Sequence, residues 1–422
     1  LPIRVSVGLE ALWSKKDSSV GVAPIVANPD CGVPTMETGM ERQLEIYRKG
    51  LFGMPEQFPV DAESLEAAAR AAMKPEAYDY VAGSAGTEAT ADANRRAFAK
   101  WQIVPRFLRD VAQRDWSIEL FGRRYPAPIY VAPVGVQGII HPDGELATAR
   151  ACAKLGVPFA LSTVASYTIE QVAEVMGDAP RWFQLYWSRN HEVAASFVRR
   201  AEAAGYSAIV VTVDTYMLAW RPRDLRRAYL PFMHGDGLAN YFSDPAFRAL
   251  LAAPPEEDPG SAVMQFAAIF GNPSLTWDDL SRLREWTRLP VLLKGILHPD
   301  DAREAVRRGV DGIIVSNHGG RQVDGAIPAL EALVQIAEAV GDAVPLLFDS
   351  GVRTGADALK ALALGARMVG LGRPVMWALG VDGENGVHTY LRNFLAEFDL
   401  TLALSGYTRI SDLGREALHG GE

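Results

Sequence analysis

From Pro128 onward the chain alternates between short apolar or β-branched runs and longer amphipathic stretches. The runs are Ile129–Ala132, Pro158–Leu161, Trp182–Tyr186, Ala208–Val213, Val291–Lys294, Gly312–Val315, Leu346–Phe348 and Met368–Leu371. Each is followed by glycine or polar residues and then by helical spacing, as in HEVAASFVRRAEAAG, DDAREAVRRG and GADALKALALG. Several of these stretches close on glycine, the residue expected just past a helix C-terminus. Strands alternating with helices predict a parallel sheet, and eight such units predict a closed (β/α)8 TIM barrel of the α/β class.

The spacing breaks once. From the end of the fourth run at Val213 to the end of the fifth at Lys294 is 81 residues, whereas the other intervals lie between 21 and 33. An insertion of roughly 50 residues, about 225–274, is therefore predicted after strand four. It carries PP, DP and NP breakers and the aromatics Tyr229, Phe232, Tyr241, Phe242, Phe247, Phe266 and Phe270. Its place after a barrel strand sets it over the face where barrels keep their chemistry, so it reads as a lid.

Helical patterning begins in METGMERQLEIYRKG, so an N-terminal helical segment is predicted to lead into the barrel from residue 36. Residues 1–35 show no sustained period and read as a disordered tail; they also lack the basic-then-apolar layout of a secretory signal. Residues 414–422, ending HGGE, read as a frayed C-terminal tail. A single domain over 36–413 is the expectation.

Composition narrows the function classes. With 49% hydrophobic and 22% charged residues, the 422-residue chain is not a disordered protein. Cys31 and Cys152 are the only cysteines, which excludes a disulfide scaffold. No apolar run reaches the roughly 18 residues of a membrane helix. The net charge of −9 argues against a nucleic-acid partner. A cytoplasmic protein acting on a small molecule is expected.

Chemistry in such a barrel sits at the C-terminal strand ends. Read in order, these offer APVGVQG, then Ser162, Gln184 and Tyr186, Thr212 and Asp214, Lys294, SNHGGRQ over 316–322, DSGVR over 349–353, and GLGR over 370–373. The last two segments place glycine and arginine before helix starts and predict a phosphate site. His318 is the one histidine of seven in a glycine-rich strand-end loop, which makes it the candidate acid/base. A neighbouring Asp214 would favour its imidazolium and fix its orientation. Arg221 and Arg321 could clamp a carboxylate. Lys294, deep at a strand end, is costly unless it serves an anion; otherwise it would snorkel to the rim.

The segment SNHGGRQVDGAIPALEAL resembles the active-site signature of the FMN-dependent L-2-hydroxy acid oxidising enzymes. YDYVAGSAG, FQLYW, TVDT, LLKGI, DSGVRTGADALKALALGA and GLGRP extend the resemblance, in family order, over about residues 45–412. The resemblance implies FMN as cofactor and a 2-hydroxy acid as substrate. It implies that His318 is the base, held by Asp214, and that Arg221 and Arg321 bind the substrate carboxylate. Tyr80 and Tyr186 would meet the substrate, and Lys294 would stabilise anionic reduced flavin. Pro133, Val134, Gly135, Ser162, Gln184 and Thr212 would contact the isoalloxazine side, Asp349, Gly351, Arg353, Gly372 and Arg373 the ribityl phosphate, and Ser316 the cofactor. No metal is expected, and a tetramer or octamer is expected by analogy.

Within that family, WRPRDL and the long insertion with GLANYFSDPAF and SLTWDDL resemble lactate 2-monooxygenase. Gly135 stands where many relatives have alanine, which would open space near the flavin, and Val164 where glycolate oxidase types have tryptophan. The implied reaction is L-lactate plus O2 giving acetate, CO2 and water. The alternatives are an oxidase giving keto acid and H2O2, or a dehydrogenase with another acceptor. Outside redox chemistry stand a phosphosugar barrel enzyme, which would be colourless, and a flavin binder without turnover, which no 2-hydroxy acid would bleach.

Overall fold

A computed structural model describes residues 36–420. The predicted tail at 1–35 lies outside the described residues. Eight parallel strands form a closed barrel: β1 (Ile129–Val131), β2 (Phe159–Ser162), β3 (Arg181–Tyr186), β4 (Ile209–Thr212), β5 (Val291–Ile296), β6 (Gly312–Val315), β7 (Leu346–Phe348) and β8 (Met368–Leu371). Neighbours in sequence pair with one another, and β8 closes on β1 with Val369 opposite Ile129. The eight apolar runs are these strands, within a residue or two at each end. β5 runs on past Lys294, with a register shift between Lys294 and Ile296 where Gly295 takes φ +112°.

The strands are apolar without alternation because both faces are buried, as β2, β4, β6 and β8 show throughout. Tyr130, Trp182, Val210, Leu292, Ile314 and Leu347 point inward and fill the barrel. Leu120 and Tyr125, from the hairpin Ile118–Leu120 and Arg123–Tyr125, join that cluster. The alternate residues, such as Ile129, Phe183 and Leu293, pack against the surrounding helices. The barrel is therefore solid below and open only at its C-terminal face.

Four helices lead into the barrel: Gly39–Leu51, Ala62–Ala72, Pro75–Ala82 and Ala89–Ala99. Thr38 and Glu41 cap the first reciprocally, and the Asp61 side chain caps the second. The helix Gly39–Leu51 packs on the long final helix Arg373–Leu404, which breaks at Asp382 and Gly383. No helix among the described residues is long and apolar enough to cross a membrane.

The frayed C-terminus does not hold for residues 414–420. Leu418–Gly420 pairs antiparallel with Trp101–Ile103, Val104 N–H donates to the Ala417 carbonyl, and Ala417 and Leu418 are buried. Ladder hydrogen bonds and two apolar side chains order a segment too short to show a period.

The insertion is folded, with the helices Ala239–Phe242, Pro245–Arg248 and Pro259–Phe270. Two of its DP breakers are helix starts: Asp244 and Asp258 accept from the backbone of the first turn, and Pro245 and Pro259 take the first helical position. Phe232, Tyr241, Phe247 and Phe266 are buried. Ala239 N–H donates to the Ala165 carbonyl, and the Asn240 amide donates to the Thr163 carbonyl, 3.1 Å away in each case. On the other side the Ser188 hydroxyl and Arg189 N–H both donate to the Ile269 carbonyl. These bonds and rings fix the insertion to the barrel on two sides, which makes it a standing wall.

Candidate active site

The β6 strand ends at Val315, and a tight turn brings out His318 with φ +57°. The turn is tied down by the Ser316 hydroxyl, which accepts from His318 N–H at 3.0 Å, and by the Ser350 hydroxyl, which accepts from Gly319 N–H at 3.0 Å. His318 Nδ1 lies 2.8 Å from Asp214 Oδ1, just past the end of β4. The Thr215 hydroxyl donates to the same oxygen at 2.7 Å. An ionised Asp214 can only accept, so Nδ1 carries the proton and Nε2 presents a lone pair to the cavity. Tyr186 Oη lies 3.4 Å from Nε2.

Burial lowers the His318 pKa below the ordinary histidine value; Asp214 opposes this, and Lys294 and Arg221 add to it. Burial would raise Asp214, but the positive charge at His318 and Lys294 and its hydrogen bonds bring it to about 2. The pair is therefore carboxylate plus neutral imidazole near neutrality. Asp214 does favour the imidazolium and fixes the ring through Nδ1, while burial and the charges of Lys294 and Arg221 work against it. Burial also pushes the Tyr186 phenol far up, so it stays a neutral donor.

Arg221 and Arg321 face the same space. Arg221 Nε donates to the Arg321 carbonyl at 3.1 Å and Nη2 to Gln322 Oε1 at 2.7 Å. Arg321 Nη1 donates to the Tyr80 and Gly83 carbonyls at 2.6 Å, and its guanidinium lies 5.1 Å from the centre of the Tyr80 ring. Neither guanidinium pairs with a carboxylate among the described residues. Burial and the charge of Arg321 hold Arg221 down to about 10.

These groups border one cavity. Tyr80, Tyr186, Arg221, Lys294, His318, Arg321, Pro133, Val134, Gly135, Asp349, Gly351, Arg353, Gly372 and Arg373 all line it. Asp214, Ser162, Gln184, Thr212 and Ser316 do not. Ser162, Gln184, Thr212 and Ser316 are buried beside it: Ser162 Oγ donates to Gln184 Oε1 at 3.1 Å, Gln184 Nε2 donates to Thr212 Oγ1 at 2.9 Å, and Ser316 Oγ donates to Asp349 Oδ1 at 2.5 Å, while Thr212, Asp214 and Ser316 border a second cavity. Lys294 is 3% exposed and does not snorkel out; its ammonium lies 3.0 Å from Ser316 Oγ and 3.5 Å from Asp349 Oδ2.

Two expectations need revision. A Cβ on Gly135 would stand 2.4 Å from the Val164 carbonyl oxygen, which itself accepts from Val136 N–H. Glycine is required there by the approach of the β2 loop, and the missing carbon does not open the cavity. The predicted phosphate site also has one open helix end, not two. The helix Gly355–Ala363 is capped by Thr354 and Asp357. The helix Arg373–Leu404 has no side-chain cap at Gly372.

Arg373 donates only to the Val81, Gly83 and Gly319 carbonyls and the Ser84 hydroxyl. Arg353 donates to its neighbour's carbonyl and lies 4.9 Å from the centre of the Trp377 ring. Burial lowers Arg353 to about 10 and Arg373 to about 9. Two enclosed guanidiniums without an acidic partner among the described residues, beside an open helix N-terminus, fit a phosphate. Lys294 and the apolar Ala132, Val134 and Met376 fit a flat, electron-accepting ring system between that end and His318. The residues present thus suit FMN.

Thr215, Gln322, Ser350, Phe232 and Phe270 were not singled out as site residues from the sequence. The first two flank Asp214 and Arg321 inside TVDT and GGRQ, which was the available signal.

Residues 69–420 match the family model described as FMN-dependent dehydrogenase. The chain is 48% identical over 356 residues to an L-lactate oxidase of Lysinibacillus sphaericus, covering 84% of this chain and 92% of that protein. It is 44% identical over 341 residues to 2-hydroxyacid oxidase 1 of Homo sapiens, covering 80% and 90%. A crystal structure of mandelate oxidase superposes with a TM-score of 0.76 at 41% identity, covering 86% of this chain and 98% of that one. The chain belongs to the FMN-dependent dehydrogenase family and is an FMN-dependent oxidoreductase of 2-hydroxy acids.

Proposed function

We propose that the substrate is L-lactate, that O2 is the electron acceptor, and that the product is acetate with CO2 and water. The observation that carries this reading is the wall over the cavity: the insertion is anchored to the barrel on two sides, and its Phe232 and Phe270 line the space beside His318. A pyruvate held there meets the peroxide formed from O2 before it escapes, and the pair converts to acetate, CO2 and water.

FMN, when bound, would supply the acceptor for the two electrons lost from C2. The protein does the rest. Arg221 and Arg321 hold the carboxylate through charge-assisted hydrogen bonds and so fix the orientation of C2. His318 Nε2 accepts the hydroxyl proton, and Asp214 stabilises the imidazolium that results. Tyr186 and Tyr80 border the substrate oxygens. Lys294 would place positive charge beside the FMN ring system, and Arg353 and Arg373 would hold its phosphate. A simple oxidase is the second reading, favoured by the 48% identity to an L-lactate oxidase.

Product analysis under air decides between them. Acetate and CO2 in amounts matching the O2 consumed, without free H2O2, are expected. Stoichiometric pyruvate and H2O2 would make the enzyme an oxidase.

A further inference from the structure

The charged groups of the cavity account for the two polar ends of a 2-hydroxy acid. Around them stand Val164, Leu218, Phe232 and Phe270, whose side chains offer no polar atom. Phe232 and Phe270 come from the insertion. Phe270 meets Tyr186 edge-on, with ring centres 5.4 Å apart, and so lies beside the residue that faces His318. Phe232 lies 5.9 Å from Phe270.

Phe232 is buried and has little room to retreat, whereas Phe270 is half-buried and also borders a second cavity on its far side. Phe266 backs both, at 5.6 and 5.0 Å, and Tyr241 backs Phe266 at 4.9 Å. Tyr241 in turn packs at 4.9 Å on Phe197, in the barrel helix His191–Ala203. This line of rings runs from the cavity to the barrel's outer layer. Interiors packed in this way do not expand by a methylene without displacing their neighbours.

We infer that Phe232 and Phe270 determine specificity for the substituent on C2 of the substrate and restrict it to a small aliphatic group. The inference rests on the reading of the cavity as a 2-hydroxy acid site. Longer chains meet both rings, and Phe232 is the more firmly held of the two.

The test is anaerobic flavin bleaching of the FMN-loaded enzyme by L-lactate, L-2-hydroxybutyrate and L-2-hydroxyisocaproate. The quantity read is the ratio of second-order bleaching constants for the longest and shortest acids on the same protein. Phe232→Ala and Phe270→Ala should each raise that ratio at least about tenfold, the scale of a methylene-sized discrimination. Phe232→Leu and Phe270→Leu should raise it less, and they serve in place of an alanine variant that fails to retain FMN. Ratios within about twofold of the wild type in FMN-loaded variants overturn the inference. Wild-type flavin that none of the acids bleaches overturns the site reading as well, whereas normal wild-type bleaching with an unmoved ratio rejects the wall alone.

Discussion

Gln322 joins parts of the site that the sequence presents separately. Its amide oxygen accepts from Arg221 Nη2, and its amide nitrogen donates to the Asp214 carbonyl at 2.8 Å and the Met217 carbonyl at 3.0 Å. One side chain thus sets the position of a carboxylate-binding arginine against the loop that carries the partner of His318. Gln322→Leu would leave a buried guanidinium donor unpaired, at a cost of about 1–3 kcal/mol. Steady-state kinetics should show KM for the hydroxy acid rising about tenfold with a smaller loss in kcat. A fall in kcat at constant KM would mean instead that Gln322 acts through Asp214. At this scale the charged groups were legible, because a histidine, a lysine and two arginines at strand ends have few other uses in a barrel. Thr215 and Gln322 were not, since their work depends on hydrogen bonds across loops that composition does not reveal. The burial of His318 was hidden for a related reason. A neighbouring carboxylate can be guessed from the sequence, but the depth of burial that outweighs it cannot.

The helix Gly144–Leu155 shows how an element supports the cofactor loop. Glu145, buried in its first turn, accepts from Gln137 N–H at 3.0 Å, and Gln137 Nε2 donates to the Val134 carbonyl at 3.0 Å. Val134 lines the cavity. Burial raises Glu145 from the ordinary 4.5 to about 7. The native state therefore binds this proton more tightly than the unfolded chain. Stability from it is present below about pH 4.5 and is lost as pH rises towards about 7, up to about 3 kcal/mol in all. Glu145→Gln removes that dependence. The fall in Tm between about pH 5 and about pH 8 should be smaller in the variant than in the wild type, as calorimetry would show; equal falls would assign the titration elsewhere. Elements of the barrel were legible because strands buried on both faces stay apolar from end to end. Leu418–Gly420 was missed because three residues cannot display a period, and its order comes from Trp101–Ile103, more than 300 residues away in the chain.

Across the whole molecule, positive charge converges on one cavity that opens at the C-terminal face. Lys294, Arg353 and Arg373 meet there with a single carboxylate among the described residues, Asp349, near the lysine. A ligand that binds only the folded state stabilises it, by about 4 kcal/mol at a thousandfold excess over Kd. Stripping FMN should therefore lower Tm, and re-added FMN should restore it. Inorganic phosphate alone should recover part of the loss in the wild type and less of it in Arg353→Met. An apo-protein as heat-stable as the holoenzyme would show that the basic groups are compensated without the cofactor. The closed barrel was legible at this scale, since eight repeats leave few other architectures. The role of the insertion was only half legible. Its length and position marked it as a cover, but whether a cover is hinged or fixed depends on tertiary anchors such as Asn240 and Tyr241, whose partners lie on other elements.

Those anchors bear on how such a segment could pass between relatives. The Ala239–Ala165 and Asn240–Thr163 bonds use backbone carbonyls that any sequence can offer. The ring line needs Phe197 on a barrel helix, and Ser196 on the same helix donates to Asp244 at 2.7 Å. A transplant of the insertion alone would bring its plugs without their sockets. Graft and host would have to exchange a helix face together, so the cover and the barrel it covers form one inheritable unit.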